Sequence, residues 1–365
     1  MEKNKSFLFL SSFLLLLFGF LILESASAPI SLINFGHPFY YFLHQVLFGL
    51  LPGIIVGFLL SRFSLEKIKK LSPLILLLNL VFLIFVFLPW TGLKIKGGAR
   101  WLKIGKFSFQ PSEFLKLSFI LYLASWLEGR RKRGEKDFSQ TFFFFLLILI
   151  FISLFLILQP DISTLGIIFA IAVSLFFLAK TPIWQTLLLI FLGTLSLFPL
   201  VKIAPYRMRR ILSFLNPELD PLGISYHSKQ AKIAIGSGGI FGKGLAFSQE
   251  KFGLLPHSFS DSIFAVFAEE TGFLGCFFLL SLYFLFFWQI FSLGKKQKNL
   301  FLKLLCFGIL TWIFTQTFVN IGSMIGILPM TGIPLPFVSY GGSHLMAEII
   351  SLFLLFKINA KKEKI

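Results

Sequence analysis

Apolar residues in this chain come in long unbroken runs, separated by short polar stretches. The runs cover 7–23, 38–60, 72–89, 111–127, 141–158, 163–179, 184–203, 261–292, 302–320 and 344–358. Each is long enough, or nearly so, to cross a hydrocarbon layer of about 30 Å. A backbone surrounded by lipid must satisfy its own hydrogen bonds, so each run predicts a helix. Run 261–292 is overlong, which predicts a tilted helix or one projecting beyond the bilayer. The pattern predicts an all-α polytopic membrane protein with ten transmembrane helices and both termini on the same side. The whole chain, 1–365, reads as a single transmembrane domain. Residues 204–260 form its large loop between helices 7 and 8.

The polar stretches orient these helices. Lys3 and Lys5, the cluster Arg62, Lys67, Lys69 and Lys70, the cluster Arg130 to Lys136, then Lys295, Lys296 and Lys298, and Lys357 with the tail lysines fall on one face of the ten-span arrangement. An excess of Lys and Arg marks the cytoplasmic face, so both termini are expected there and the 204–260 loop outside. The 90–110 loop opposes the rule with Lys94, Lys96, Arg100, Lys103 and Lys106, which hints at an anionic ligand on the outer face. The basic start, first apolar run and Ala26-Ser27-Ala28 also fit a cleaved secretory signal; its removal would leave the other nine helices oriented as before.

Composition supports this class. The chain is 56% hydrophobic and only 14% charged, against about 25% charged for a soluble domain. The net charge of +18 resides in short clusters between apolar runs, which argues against nucleic acid and fits anionic headgroups or an anionic lipid-linked substrate. Cys276 and Cys306 lie within apolar runs and indicate neither a disulfide nor a metal site.

Four polar groups lie at predicted outer membrane boundaries. Gly98-Ala99-Arg100-Trp101 leads to Gln110-Pro111-Ser112-Glu113 and Lys116. Pro111 and Ser112 suit a helix start, and Glu113 and Lys116 share a helix face, so a capped helix with a local ion pair is the plain reading. Gln159-Pro160-Asp161 offers Asp161 as an N-cap. Tyr206-Arg207-Met208-Arg209-Arg210 puts guanidinium forks, suited to bidentate phosphate contacts, on a face where topology does not call for them. Asp261 starts an apolar run, where a carboxylate is costly; cap and catalyst both remain open for it. Between the last two, residues 226–235 suit a short helix with His227, Gln230 and Ala231 at helical spacing. Near the end, Gly332-Ile333-Pro334-Leu335-Pro336-Phe337 through Gly342 suits a cavity-lining backbone. No nucleotide-binding loop occurs, and the histidines are not at zinc-ligand spacing.

These segments, with Ala234-Ile235-Gly236-Ser237-Gly238-Gly239, Leu255-Pro256, Phe264-Ala265, Glu269-Glu270 and Ser339-Tyr340-Gly341-Gly342-Ser343, occur in an order that resembles the SEDS family of shape, elongation, division and sporulation proteins. The resemblance covers about 40 to 356. It implies ten transmembrane helices and a peptidoglycan glycosyltransferase in the bacterial cytoplasmic membrane, with its active site on the outer side. The implied substrate is lipid II, a disaccharide–peptide on undecaprenyl pyrophosphate. The implied partners are a class B penicillin-binding protein and other divisome or elongasome membrane proteins. It places the family's essential carboxylate on Asp261, its Gln-Pro-Ser-Glu motif on Gln110 to Glu113 with Lys116, and its arginine pair on Arg207 and Arg210. Motif texture around Gly242 to Leu255 leans towards the division branch. Where the family has Pro-Glu-x-His-Thr-Asp-Phe, this chain has Pro256-His257-Ser258-Phe259-Ser260-Asp261-Ser262, and Ser343-His344 stands where Ser-Ser is usual.

Lipid II polymerisation needs a base for a sugar hydroxyl and positive charge for a departing diphosphate. The expectation is therefore Asp261 as base or metal ligand with Glu113 near it, a divalent cation (Mg or Mn) and no nucleotide. Lys116, Arg207, Arg210, Arg100 and Gln230 are the expected substrate-binding residues, and Glu113 and Asp161 support them. A lipid II flippase and a non-catalytic scaffold for a penicillin-binding protein are the competing readings.

Overall fold

The computed structural model describes residues 3–90, 92–95, 98–104, 107–132, 139–219 and 223–360. In chain order the elements are α1 (Lys3–Phe35), α2 (Tyr40–Gln45), a π-helical turn (Val46–Leu50), α3 (Leu51–Arg62), α4 (Leu65–Phe85), β1 (Gly92–Ile95), β2 (Gly98–Ile104) and β3 (Phe107–Phe109). There follow α5 (Pro111–Lys132), α6 (Ser139–Leu158), α7 (Ile162–Leu178), α8 (Ile183–Ile203), α9 (Pro205–Leu215), a 3₁₀ turn (Pro217–Leu219) and α10 (Ile224–Ser237). The chain ends with α11 (Ile263–Lys295), α12 (Leu300–Ile325) and α13 (Gly342–Ala360). Every apolar run therefore coincides with helix. Among the described residues seven helices are long and apolar enough to cross a membrane, and α6 and α7 are shorter apolar helices. The chain is a multi-pass membrane protein. Lys96, Lys106, Arg133, Lys136 and the tail lysines beyond residue 360 lie outside the described residues.

Two expectations need correction. The fold is not purely helical, because β1, β2 and β3 form a small antiparallel sheet in that order. Leu93 pairs with Trp101 and Leu102 with Phe109. Apolar and basic residues alternate here, with Leu102 buried and Lys103 exposed, which is the period of a strand with one covered face. The overlong run is also not one straight span. Gly272 (φ 66°, ψ −163°) breaks α11 into 263–271 and 273–295. The second piece alone is long enough to cross a bilayer.

Backbone contacts divide the chain into two compact units. Unit one comprises Met1–Leu47, Thr194–Gln289 and Phe314–Gly341. In it α1 packs on α2, and Gly19 of α1 lies so close to the Phe337 carbonyl that a Cβ would be 2.1 Å from its oxygen. Tyr283 donates a hydrogen bond to the Pro336 carbonyl, and Phe286 packs edge-on to Phe337 at 5.5 Å. The proline-rich segment before α13 is thereby fixed to buried side chains.

Unit two comprises Phe48–Gly193, Ile290–Ile313 and Gly342–Ile365. Its centre is α5, packed against α4, α7 and α13. Helices α3 and α13 pack closely against each other. Gly49, Gly53 and Gly57 recur every four residues along one face, where added Cβ atoms would meet Gly342, Ile349 and the Phe353 ring at 3.2, 3.1 and 2.4 Å. In lipid, where burying apolar surface drives little helix association, small residues at this spacing let backbones approach.

Candidate active site

Asp261 lies in unit one, half-buried, in a turn just before α11. The helix is opened by Ser262, whose carbonyl accepts from Ala265 N (2.9 Å) and Val266 N (3.4 Å). Ser262 is fully buried: its hydroxyl donates to the Pro256 carbonyl at 2.9 Å and shares a hydrogen bond with His227 Nε2 of α10. The departure from the family's Phe at this position thus ties the Asp261 turn to α10.

The backbone around Asp261 is held on several sides. Asn320 Nδ2 donates to the Asp261 carbonyl at 2.8 Å and to the Ile333 carbonyl at 2.7 Å. Ser339 Oγ donates to the Ser260 carbonyl at 2.6 Å, and Tyr340 N donates to the Phe259 carbonyl at 3.0 Å. Phe259, another departure, stacks on Tyr41 at 4.5 Å and meets Tyr340 at 5.5 Å. Tyr340 shares a hydrogen bond with His44 at 2.9 Å, and Gln45 holds the adjoining backbone through Ser339 O and Gly341 N. Burial, then the neighbouring Tyr41 and Tyr40, pushes the Tyr340 phenol up, so it stays a neutral hydroxyl. Beside the Asp261 carboxylate lies Gly332, where a Cβ would be 3.3 Å from Oδ2. These contacts fix the backbone that carries the carboxylate.

The loop leading to this turn is anchored by two adjacent carboxylates of α11. Glu269 accepts from Lys243 Nζ (2.7 Å), Ser248 Oγ, Gln249 N (3.1 Å) and Glu250 N (3.4 Å). Glu270 accepts from Lys251 Nζ (2.7 Å) and from Ser25 Oγ of α1 (2.6 Å). Both carboxylates are buried.

Arg207 and Arg210 lie on α9, which Pro205 opens. Arg207 donates to the Leu200 carbonyl (2.7 Å) and Tyr206 Oη (3.0 Å), and Arg210 to the Met330 carbonyl (3.3 Å). Among the described residues no carboxylate pairs with either, so their charge is available to an anion. Gln230 donates to Tyr226 Oη at 3.3 Å along α10.

The remaining predicted site residues belong to unit two. Asp161 caps α7, accepting from Thr164 N (3.3 Å) and Thr164 Oγ1 (2.9 Å), and also from Ser112 Oγ (3.0 Å). Gln110 Nε2 donates to Ser112 Oγ at 3.0 Å, and Gln110 N to Ser343 Oγ at 3.0 Å. Arg100 donates to the carbonyls of Gln159 (2.9 Å) and Pro160. Lys116 Nζ lies 2.7 Å from Glu113 Oε2 and over the Trp312 ring at 5.1 Å, and only 1% of Lys116 is exposed. Glu113 is therefore occupied by a cation of its own unit, which weakens its assignment as a metal ligand.

The fit to a divalent cation is limited. Among the described residues no cluster of three or more His, Cys, Asp or Glu could hold a metal. Mg²⁺ is often held by one or two carboxylates together with substrate phosphates, so Asp261 fits a shared site but not a protein cage. Sequence reasoning missed Asn320, Ser25 and the roles of Glu269 and Glu270. A polar residue within an apolar run was the available signal for Asn320.

The comparisons with known proteins agree with one another. The FtsW/RodA/SpoVE family profile, described as "Cell cycle protein", matches residues 5–364. The probable peptidoglycan glycosyltransferase FtsW of Aliivibrio salmonicida is 38% identical over 349 residues, covering 94% of this chain and 86% of that protein. The same-named protein of Coxiella burnetii is 36% identical, covering 96% and 94%. Among solved structures, a chain from "Structural coordination of polymerization and crosslinking by a peptidoglycan synthase complex" superposes with a TM-score of 0.78 at 27% identity, covering 98% of both chains. RodA of Thermus thermophilus gives 0.71 at 26% identity, covering 98% of this chain and 97% of its own. With a match over almost its whole length, the chain belongs to the FtsW/RodA/SpoVE family of cell cycle proteins.

Proposed function

We propose that this chain is a peptidoglycan glycosyltransferase of the division branch, which polymerises lipid II and releases undecaprenyl pyrophosphate. The relatives named FtsW support both the reaction and the branch. The observation that carries the reading is the half-buried Asp261 on a turn held by Asn320, Ser339 and Tyr340, with the arginines of α9 in the same unit. Chain polarity supports ten crossings, cytoplasmic termini and Asp261 on the outer side.

In the reaction a sugar hydroxyl attacks the anomeric carbon of a second sugar. The new carbon–oxygen bond forms as the bond to the lipid diphosphate breaks, and the diphosphate keeps the electron pair. Asp261 takes the proton of the attacking hydroxyl. Arg207 and Arg210 bind the diphosphate through planar, charge-assisted contacts. A Mg²⁺ or Mn²⁺ ion held by Asp261 and the diphosphate would supply further neutralisation of the leaving group. The bond to diphosphate carries the driving energy, so no nucleotide is needed. Lys116 and Glu113 neutralise each other inside unit two, and we assign them a supporting rather than a substrate-binding role. The peptidoglycan synthase complex among the structural neighbours supports a class B penicillin-binding protein as partner, which would crosslink the strands made here.

The test is polymerisation of labelled lipid II by the purified chain with its penicillin-binding partner. Asp261→Asn should lower the rate by about 10²–10⁴-fold, the usual worth of a general base. Wild-type rates in that variant would remove Asp261 from the mechanism. Translocation of precursor without polymer would favour a flippase.

A further inference from the structure

The loop 240–254, between α10 and α11, has its polarity turned inside out. Six apolar side chains point outwards: Ile240, Phe241, Leu245, Phe247, Phe252 and Leu254 are 47–79% exposed. Two of its three ionic groups turn inwards, and the third, Lys243, is partly exposed but paired. Lys251 and Glu250 are buried, and Lys243 and Lys251 are paired with Glu269 and Glu270. Water favours the reverse arrangement, and contiguous exposed apolar surface marks a membrane or protein contact.

Backbone geometry fixes the level of this loop. Phe273 N donates to the Gly239 carbonyl (2.9 Å) and Leu274 N to the Ile240 carbonyl (3.1 Å), while Lys243 N and Gly244 N donate to the carbonyls of Glu269 and Glu270 (both 3.0 Å). The loop is thus laced to α11 across its break at Gly272, where the apolar piece 273–295 begins. That piece exposes Phe273, Leu274, Phe277, Phe278 and Phe284, as a lipid-facing helix does. Ile240, at the head of the loop, is thereby bonded to Leu274 in the first turn of this belt, so the exposed loop residues start where the belt starts.

We propose that the 240–254 loop is a membrane anchor, with the side chains around Phe241 and Phe247 embedded at the headgroup–acyl boundary of the adjoining leaflet. Continuity with the apolar belt favours lipid over a protein partner. Apolar side chains below and a few polar groups above are the signature of an interfacial segment. The loop leads directly into the Asp261 turn, so the anchor would set the depth of that turn at the bilayer surface.

Spin labels test this in the full chain reconstituted alone in phosphatidylcholine/phosphatidylglycerol nanodiscs, with Cys276 and Cys306 replaced by Ala. Labels at Phe241→Cys and Phe247→Cys should collide with oxygen severalfold more than with a water-soluble nickel chelate, as a label at Phe277→Cys does. A label at the exposed Gln249→Cys should show the opposite preference. If a Phe site does not accept the label, Leu254→Cys gives the same reading. Nickel accessibility at 241 and 247 equal to that at 249 would place the loop in water and overturn the proposal. Shielding of both sites from both reagents would mean that protein, such as a second copy, covers the loop, and would overturn it equally.

Discussion

Gly332 stands at φ +72°, and a Cβ there would be 3.3 Å from the Asp261 carboxylate. An L-residue in this left-handed conformation costs about 1–2 kcal/mol. Gly332→Ala should therefore destabilise the chain by about that amount, and should also lower polymerisation beyond the loss of folded protein because it crowds Asp261. Measuring activity per folded molecule separates the two effects; full specific activity would show that this space is not needed. Glu250 makes a different prediction. Burial, then the nearby Glu269 carboxylate, raises its pKa above 4.5, against a smaller opposing pull from Lys243. Its Oε2 has no hydrogen-bond partner among the described residues. The folded chain then holds this proton at a pH where the unfolded chain has lost it. Stability contributed by Glu250 is thus present below 4.5 and falls as pH rises through the raised folded value. Glu250→Gln should flatten the fall of Tm with pH above about 4.5, and an unchanged profile would contradict it.

Among the elements, α3 and α13 illustrate how spacing becomes packing. Gly53 faces Met346 and Ile349, where a Cβ would stand 3.2 and 3.1 Å from the nearest atoms. Gly53→Ile should force the helices apart and cost about 1–3 kcal/mol, the usual range for overpacking. Gly166 of α7 is the control, since nothing lies within 4 Å of its Cβ position. Gly166→Ala should be neutral or stabilise by up to about 1 kcal/mol through helix propensity. Thermal unfolding in detergent compares the two. Helix positions were legible in the chain because lipid-crossing runs are long and uniform. The small sheet was not foreseen: its alternation of apolar and basic residues runs for only 4, 7 and 3 residues per strand, too short to stand out within a basic loop. The break in α11 also escaped, because Gly272 lies in an apolar run and only the loop laced against it, with backbone 2.4 Å from its Cβ position, calls for glycine.

Across unit one, Lys251, Glu270 and Ser25 join segments distant in sequence: the long loop, α11 and α1. Lys251 and Glu270 side chains are each 2% exposed. Removing one partner of such a pair strands a buried charge and typically costs about 3–5 kcal/mol. Lys251→Met should cost that much, and Lys251→Met with Glu270→Gln should recover a substantial part of it. Additive losses would show that the pair does not act as one unit. The sequence by itself determined the membrane class, the position of the helices, the family and the candidate status of Asp261, because run length, charge asymmetry and motif order are local properties of the chain. Tertiary structure decided which polar groups are satisfied by distant segments. The Lys116–Glu113 pair and the Asp161 cap follow from local spacing, but Arg100 binding two carbonyls and Ser112 reaching Asp161 do not, because no spacing rule reveals partners supplied by other segments. It also decided what holds Asp261, since Asn320, Ser339 and Tyr340 reach its turn only after the chain has folded back on itself.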